Sequence, residues 1–135
     1  GAKECIFNLS LAFLDSDSVA LASDPGYPVY SAGPKLAGAD AHLMPLVPER
    51  GFTPDYSAIP ADVAERARLL FINYPNNPTA AVAPRDYLER VVATCRERDM
   101  LLVYDNAYSE MGFDGYVPPS IFEIDGARDV AIEFA

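Results

Sequence analysis

The chain has 135 residues, half of them hydrophobic, which is enough for one domain with a sizeable buried core. Its 10 Lys and Arg residues against 20 Asp and Glu residues give a net charge of −10 at pH 7. Because nucleic acids and anionic membranes are bound by clustered basic side chains, this charge argues against both kinds of partner. No apolar run approaches the roughly 20 residues that span a bilayer, and the first residues lack a signal-peptide cleavage pattern.

Cys5 and Cys95 have neither the spacing of metal ligands nor the pattern of a disulfide framework. Free thiols are typical of a reducing compartment. The sequence therefore predicts a cytoplasmic protein.

Short apolar runs alternate with segments that have a helical pattern, which predicts one α/β domain. Most of the strand candidates are apolar on successive residues, as expected for parallel strands that helices cover on both faces. In chain order we predict a helix at 3–14, a strand at 19–23, a helix near 28–38, a strand at 41–46, a helix at 60–66, a strand at 69–74, a helix at 84–99, and strands at 101–105 and 129–134.

Polar and aromatic turns follow three of the predicted strands. The turns read "SDPGYPVY" after the first strand, "NYPNNPT" after the third and "YDNAYSE" after the fourth. Ligands of open parallel sheets bind outside the carboxyl ends of the strands. We therefore expect these three turns to share one edge of the sheet and to form a binding site there.

The motifs "DPGYPVY", "NYPNNPT" and "DNAYSEMGFDGY", together with the opening "GAKE" and the segment "GFTPD", carry a family resemblance. In this order and spacing the chain resembles the class I/II aminotransferases, pyridoxal-phosphate (PLP) enzymes of fold type I, and within them the aspartate and LL-diaminopimelate aminotransferase-like group. The resemblance implies a three-layer α/β/α fold with a mostly parallel sheet of order 2-1-3-4-5. It also implies pyridoxal 5'-phosphate as cofactor, amino acid and 2-oxo acid substrates, and a homodimer.

For Asp105, the resemblance implies a contact with the pyridine nitrogen of the cofactor. A carboxylate at that position favours the protonated ring, which then acts as an electron sink. The alternative is that Asp105 caps a helix after the strand, since Asp is a favoured N-cap residue.

The resemblance also implies roles for three residues with neutral side chains. Tyr108 and Asn77 would donate hydrogen bonds to the 3' oxygen of the cofactor, and Tyr27 would stack on the face of its ring. The alternatives are that Asn77 bonds to its own turn and that Tyr27 is a surface residue. Asn76 is interpreted as a turn residue.

For the opening "GAKE", the resemblance implies a phosphate site, at which the backbone N–H groups of Ala2 and Lys3 face the cofactor at a helix N-terminus. Such a site needs no basic side chain, so it suits an acidic chain. The alternative is a frayed terminus. His42, in the second predicted strand, is interpreted as a partly buried structural residue.

The turn departs from the family at Ala80, because the family usually reads Asn-Pro-Thr-Gly and glycine is replaced here by alanine. If this position needs a positive φ, alanine costs roughly 1 kcal/mol there.

The lysine with which these enzymes form a Schiff base follows the strand that corresponds to 129–134. Lys3 and Lys35 do not lie in that context. We therefore interpret residues 1–135 as part of the PLP-binding large domain, without the N-terminal segment, the lysine segment and the small domain, and we expect the isolated chain to be inactive. The strand 129–134 would then be an exposed edge that promotes self-association.

Three other interpretations remain open at the level of sequence. The chain could be a non-catalytic module that binds PLP or another anion, or a related PLP-dependent lyase of the same fold. It could also be a flavodoxin-like or receiver-like domain, which shares the strand order. A receiver needs several acids at the end of its first strand, whereas only Asp24 is present there.

Overall fold

The computed structural model describes residues 1–135 and shows a five-stranded sheet with helices on both faces. Each strand of the sheet except the last leads into a connection that contains a helix or short 3₁₀ turns. The elements are α1 (Ala2–Phe13), β1 (Val19–Asp24), α2 (Val29–Leu36), β2 (Asp40–Pro45), α3 (Ala61–Arg66), β3 (Ala67–Asn73), α4 (Arg85–Glu97), β4 (Leu101–Asp105) and β5 (Ala131–Phe134).

All neighbouring strands are parallel, and their order is β2-β1-β3-β4-β5, which confirms the predicted sheet. Asn73 at the end of β3 lies opposite Asp105 at the end of β4. On the other side of β4, Glu133 of β5 lies opposite Tyr104. The carboxyl ends of the three strands are therefore level, and the turns that follow them meet at one edge.

Each face of the sheet carries its own hydrophobic core, because successive strand residues point to opposite faces. One core contains the side chains of α4 that have helical spacing, packed on Leu70, Ile72 and Leu102 of the sheet. The other contains Ile6 of α1 and Tyr30 of α2, which pack near Phe71. The molecule therefore has the three layers predicted from its continuously apolar strands. The buried α4 side chains are those of Tyr87, Leu88, Val91, Val92 and Cys95.

The observed element boundaries lie within two residues of the predicted ones. The prediction for β5 began at Asp129, whereas the strand begins at Ala131. The reason is a 3₁₀ turn at Ala127–Asp129, which follows Gly126 in the left-handed conformation with φ +80°. β2 is an edge strand of mixed exposure, so the continuous burial expected of the strands does not extend to it.

Several further predictions concern single residues. Both cysteines are free, as predicted, and burial raises the pKa of the Cys95 thiol to about 12. His42 is half-buried in β2, in agreement with its interpretation as a structural residue. None of the helices has the length and apolar character that a membrane crossing requires.

Candidate functional site

A cleft of about 260 Å³ opens at the carboxyl edge of the sheet, between the N-terminus of α1 and the turns that follow β1, β3 and β4. It is lined by 10 residues. Every residue for which the sequence predicted a cofactor contact is among them. The lining consists of those residues, namely Ala2, Lys3, Tyr27, Asn77, Asp105 and Tyr108, together with Ile6, Tyr30, Asn73 and Ala107.

Asp105 ends β4 at the base of the cleft, and its side chain is buried, with 7% of the residue exposed. Its Oδ2 accepts a hydrogen bond of 2.6 Å from the hydroxyl of Tyr30. Its Oδ1 is buried and has no hydrogen-bond partner. An unpartnered buried carboxylate oxygen is costly, so this atom is suited to accept a hydrogen bond from a ligand in the cleft.

The alternative that Asp105 caps a helix is wrong. Residues 107–110 form turns and no helix starts there. The carboxylate accepts no backbone N–H, since its one hydrogen bond comes from the Tyr30 hydroxyl. The burial of this acid is therefore not explained by local backbone structure.

Tyr30 is one of the site residues that the sequence did not reveal. It lies in the first turn of α2 and is 2% exposed. Its ring stacks on Phe71 of β3, with the ring centroids 5.3 Å apart, and meets the ring of Tyr27 edge to face at 6.0 Å. The only sequence signal was its place in "DPGYPVY", because its partner Asp105 lies 75 residues further along the chain.

The turn after β3 is held by the side chains of Asn73 and Asn76. Asn73 donates from Nδ2 to the backbone oxygen of Asp105 at 2.7 Å, and its Oδ1 accepts from the backbone N–H of Asn77 at 2.7 Å. Asn76 donates to the backbone oxygen of Asn73 and accepts from both the backbone N–H and the hydroxyl of Thr79. Asn73, which the sequence analysis had read as part of a strand, thus ties the turn to the end of β4.

Asn76 therefore has the turn role predicted for it, whereas Asn77 does not bond to its own turn. The Asn77 side chain makes no hydrogen bond within the chain and lines the cleft. Ala80, two residues after Pro78, has φ +59°, and its N–H donates to the backbone oxygen of Asn76 at 2.7 Å. The strain expected for alanine at this position is therefore present, and the turn holds Asn77 at the cleft in spite of it.

The two remaining tyrosines of the cleft are half-buried. Tyr108 lies in the turn after β4, and its hydroxyl has no partner within the chain. Tyr27 presents its ring to the cleft, and Nζ of Lys3 lies 5.9 Å from the centroid of this ring, within reach of a cation–π contact. An aromatic face and a free hydroxyl are thus available to a ligand.

The N-terminus of α1 forms the remaining wall of the cleft. The backbone oxygen of Gly1 accepts hydrogen bonds from the N–H groups of Glu4 and Cys5, at 3.1 and 3.2 Å. The N–H groups of Ala2 and Lys3 lie in the first turn, where a helix offers no internal acceptors. With the positive end of the helix dipole, these groups are suited to an anion.

Comparison with protein families and curated proteins identifies relatives. The model of the family "Aminotransferase class I and II" matches residues 1–132. The chain is 52% identical over 134 residues to the LL-diaminopimelate aminotransferase of Gloeobacter violaceus and 54% identical to that of Desulforudis audaxviator. Each match covers 99% of this chain and 34% of the relative, so the chain spans about a third of the length of these relatives.

Solved structures give the same result. Substrate-bound BacF from Bacillus subtilis superposes with a TM-score of 0.93 at 38% identity, over 98% of this chain and 34% of BacF. The LL-diaminopimelate aminotransferase of Chlamydomonas reinhardtii superposes with a TM-score of 0.84 at 32% identity, over 98% of this chain and 34% of that enzyme. On the match to the family model, the chain belongs to the class I and II aminotransferases.

Proposed function

We propose that residues 1–135 form part of the large domain of a PLP-dependent aminotransferase, which transfers an amino group from an amino acid to a 2-oxo acid. The observation that carries the proposal is Oδ1 of Asp105, a buried acceptor without a partner at the base of a cleft. The protonated ring nitrogen of pyridoxal 5'-phosphate is a donor that suits this atom, and the site residues therefore fit the cofactor.

Different residues of the cleft would bind different parts of the cofactor. Asp105 would hold a proton on the ring nitrogen, and the ring of Tyr27 would cover one face of the cofactor. Asn77 and Tyr108, whose polar groups have no partner within the chain, would donate to its 3' oxygen. The N–H groups of Ala2 and Lys3 would bind its phosphate. When bound, the cofactor supplies an electron sink for the carbanion that forms at the substrate Cα.

The substrate proposal rests on the relatives. The curated proteins at 52% and 54% identity are named LL-diaminopimelate aminotransferases. We therefore propose LL-diaminopimelate as the amino donor and a 2-oxo acid as the acceptor. Both cysteines are free, which suits the reducing cytoplasm proposed for the protein.

The isolated 135 residues are proposed to lack turnover. Lys35 is exposed at the end of α2, and Lys3 lies in the first turn of α1. Neither follows β5, where the family places the lysine that binds the cofactor covalently. Incubation with PLP, borohydride reduction and peptide mapping would test this, and stoichiometric labelling of a single lysine would contradict it.

The test of the cofactor site is a calorimetric titration of the chain with pyridoxal 5'-phosphate. Because a hydrogen bond to a charged group contributes about 1.5–3 kcal/mol, we expect Asp105→Asn to weaken binding roughly tenfold to a hundredfold. The matched control is Asp99→Asn, the same change at an exposed aspartate just before the other end of β4. Equal affinity of the native and Asp105→Asn chains would contradict the proposal.

A second comparison separates the remaining alternatives. These are a non-catalytic module that binds PLP or another anion, and a related PLP-dependent lyase. A site for anions alone would bind inorganic phosphate as tightly as the cofactor, and Asp105→Asn would not weaken it. A lyase would share the binding result, and it would be recognised in an enzyme that contains the whole domain, which would release products other than the 2-oxo acid from LL-diaminopimelate. The receiver-like alternative loses support, because Asp24 is exposed and no group of acids in the chain could hold a metal ion.

We also propose that the chain self-associates, as a homodimer or through β5. Strand β5 is hydrogen-bonded to β4 only, so its other edge is open in the isolated 135 residues. Apolar side chains are exposed on α1 and α2, with Phe13 at 52% and Leu36 at 71%. Light scattering over a concentration series tests this, and a monomer of 14.7 kDa at every concentration would contradict it.

A further inference from the structure

The two oxygens of the Asp105 carboxylate lie in different surroundings. Oδ2 is held by the Tyr30 hydroxyl at 2.6 Å, whereas Oδ1 is buried without a partner. A carboxylate on a short side chain can turn about its last bond, since such terminal torsions are broad. A fixed partner on one oxygen therefore decides where the other oxygen points.

Tyr30 is fixed by packing that does not involve Asp105. Its ring is stacked on Phe71 at an interplanar angle of 15° and meets Tyr27 edge to face at 80°. Tyr30 is 2% exposed, so water does not compete for its hydroxyl. The hydroxyl is therefore a rigid donor, aimed from α2 at the end of β4.

The protonation state of Tyr30 supports this role. Burial, followed by the negative charge of Asp105, raises the pKa of its phenol well above the ordinary range. Because the neutral phenol is the form that donates, this direction of the pKa agrees with Tyr30 as the donor to Asp105. The direction of the Tyr30–Asp105 hydrogen bond is thereby fixed.

We propose that Tyr30 is a positioning residue, which holds Oδ2 of Asp105 so that Oδ1 faces the cleft and accepts the N–H of a protonated aromatic ring nitrogen. The proposal rests on the function proposed above. Tyr30 acts through Asp105 and need not contact the ring nitrogen itself.

A role in packing alone would leave a different signature. Tyr30→Phe keeps the aromatic ring and its contacts with Phe71 and Tyr27, and it removes the hydroxyl that contacts Oδ2. If Tyr30 only packed, the variant would bind any ligand of the cleft as the native chain does, or would lose affinity for all of them alike. If Tyr30 positions Asp105, only ligands with a ring N–H would be affected.

The experiment compares two probes by calorimetric titration, pyridoxal 5'-phosphate and its analogue in which a carbon replaces the ring nitrogen. We expect Tyr30→Phe to weaken binding of pyridoxal 5'-phosphate about tenfold, the effect typical of one lost hydrogen bond to a charged group. Binding of the carbon analogue should change less than about twofold, since it offers no N–H to Oδ1.

Tyr104→Phe serves as the matched control. Tyr104 is buried in the other core, next to Asp105 in sequence, and its hydroxyl donates to the backbone oxygen of Tyr74 at 3.1 Å. This variant also loses one buried hydroxyl, and it should keep the native preference for pyridoxal 5'-phosphate over the carbon analogue.

The outcomes distinguish this proposal from the proposed function. If Asp105→Asn abolishes the preference for pyridoxal 5'-phosphate and Tyr30→Phe leaves it intact, Tyr30 is not a positioning residue. An equal loss of affinity for both probes in Tyr30→Phe would also overturn the proposal. If the native chain shows no preference and Asp105→Asn changes nothing, the proposed function fails, and the role of Tyr30 fails with it.

Discussion

Asp105 and Glu133 are two acidic residues on neighbouring parallel strands, one residue out of register with each other. Glu133 lies opposite Tyr104, so its side chain and that of Asp105 are on opposite faces of the sheet. Oε1 of Glu133 accepts from Nδ2 of Asn106 at 2.9 Å, and Oε2 accepts from the Ser120 hydroxyl at 2.5 Å. Oε2 also accepts from the backbone N–H of residue 121 at 3.1 Å.

The two acids differ in how many of their carboxylate oxygens are hydrogen-bonded within the chain. Both oxygens of Glu133 are used within the chain, and they fasten the segment before β5 to the sheet. Asp105 is more deeply buried, yet only one of its oxygens has a partner. A buried carboxylate that the fold leaves half-satisfied contributes little to stability, and its free oxygen is available for a ligand.

The largest effect is expected at Glu133. Glu133→Ala removes three hydrogen bonds and leaves their partly buried donors unpaired, so it should destabilise the chain by about 3 kcal/mol. Urea denaturation measures the loss, and Glu110→Ala, at an exposed glutamate that makes no hydrogen bond or ion pair, is the control. A loss below about 1 kcal/mol, close to that of ordinary surface changes, would show that Glu133 is not a structural acid.

A second effect separates Asn76 from Asn77. Asn76→Ala removes the side chain that holds the turn and should cost about 1–2 kcal/mol of stability. Asn77→Ala, in which no internal hydrogen bond is lost, should stay within about 0.5 kcal/mol of the native chain. For the affinity for pyridoxal 5'-phosphate we expect the opposite order, in which Asn77→Ala loses more affinity than Asn76→Ala. Equal stability of both variants would show that the turn does not depend on Asn76.

Substitution of Asp105 should not lower the stability of the chain. Asp105→Asn removes a buried charge with a single partner, and we expect the stability of the chain to stay constant or rise by up to about 1 kcal/mol while cofactor affinity falls. Thermal unfolding of the two chains without ligand measures the change. A loss of about 2 kcal/mol or more would mean that Asp105, like Glu133, is a structural acid.

The smallest effect on stability is expected in the backbone of the turn that follows β3. Ala80 has φ +59°, a conformation that glycine adopts without the penalty of a Cβ. Ala80→Gly should therefore stabilise the chain by about 0.5–1 kcal/mol, the strain relieved less the entropy that glycine adds to the unfolded state. Chemical denaturation measures the change, with Ala58→Gly in the exposed 3₁₀ turn as the control. Destabilisation by Ala80→Gly would show that the turn stores no strain.

The sequence predicted the sheet well, because apolar runs such as "LLFI" and "LLVY" are long enough to be buried on both faces. The strand-end rule predicted that three turns share one edge, and the family resemblance indicated six of the ten residues that line the cleft there. The sequence did not reveal Tyr30 or Asn73, whose partners are distant along the chain, and local patterns carry no record of such contacts. The late start of β5 was missed, because the 3₁₀ turn depends on the left-handed Gly126.

A crystal structure of the chain with pyridoxal 5'-phosphate would show whether Oδ1 of Asp105 binds the ring nitrogen of the cofactor. We expect the cofactor in the cleft, with its ring nitrogen about 2.7–2.9 Å from Oδ1 of Asp105 and the Tyr30 hydroxyl still on Oδ2. A cofactor bound elsewhere, or bound in the cleft with its ring nitrogen turned away from Asp105, would contradict it.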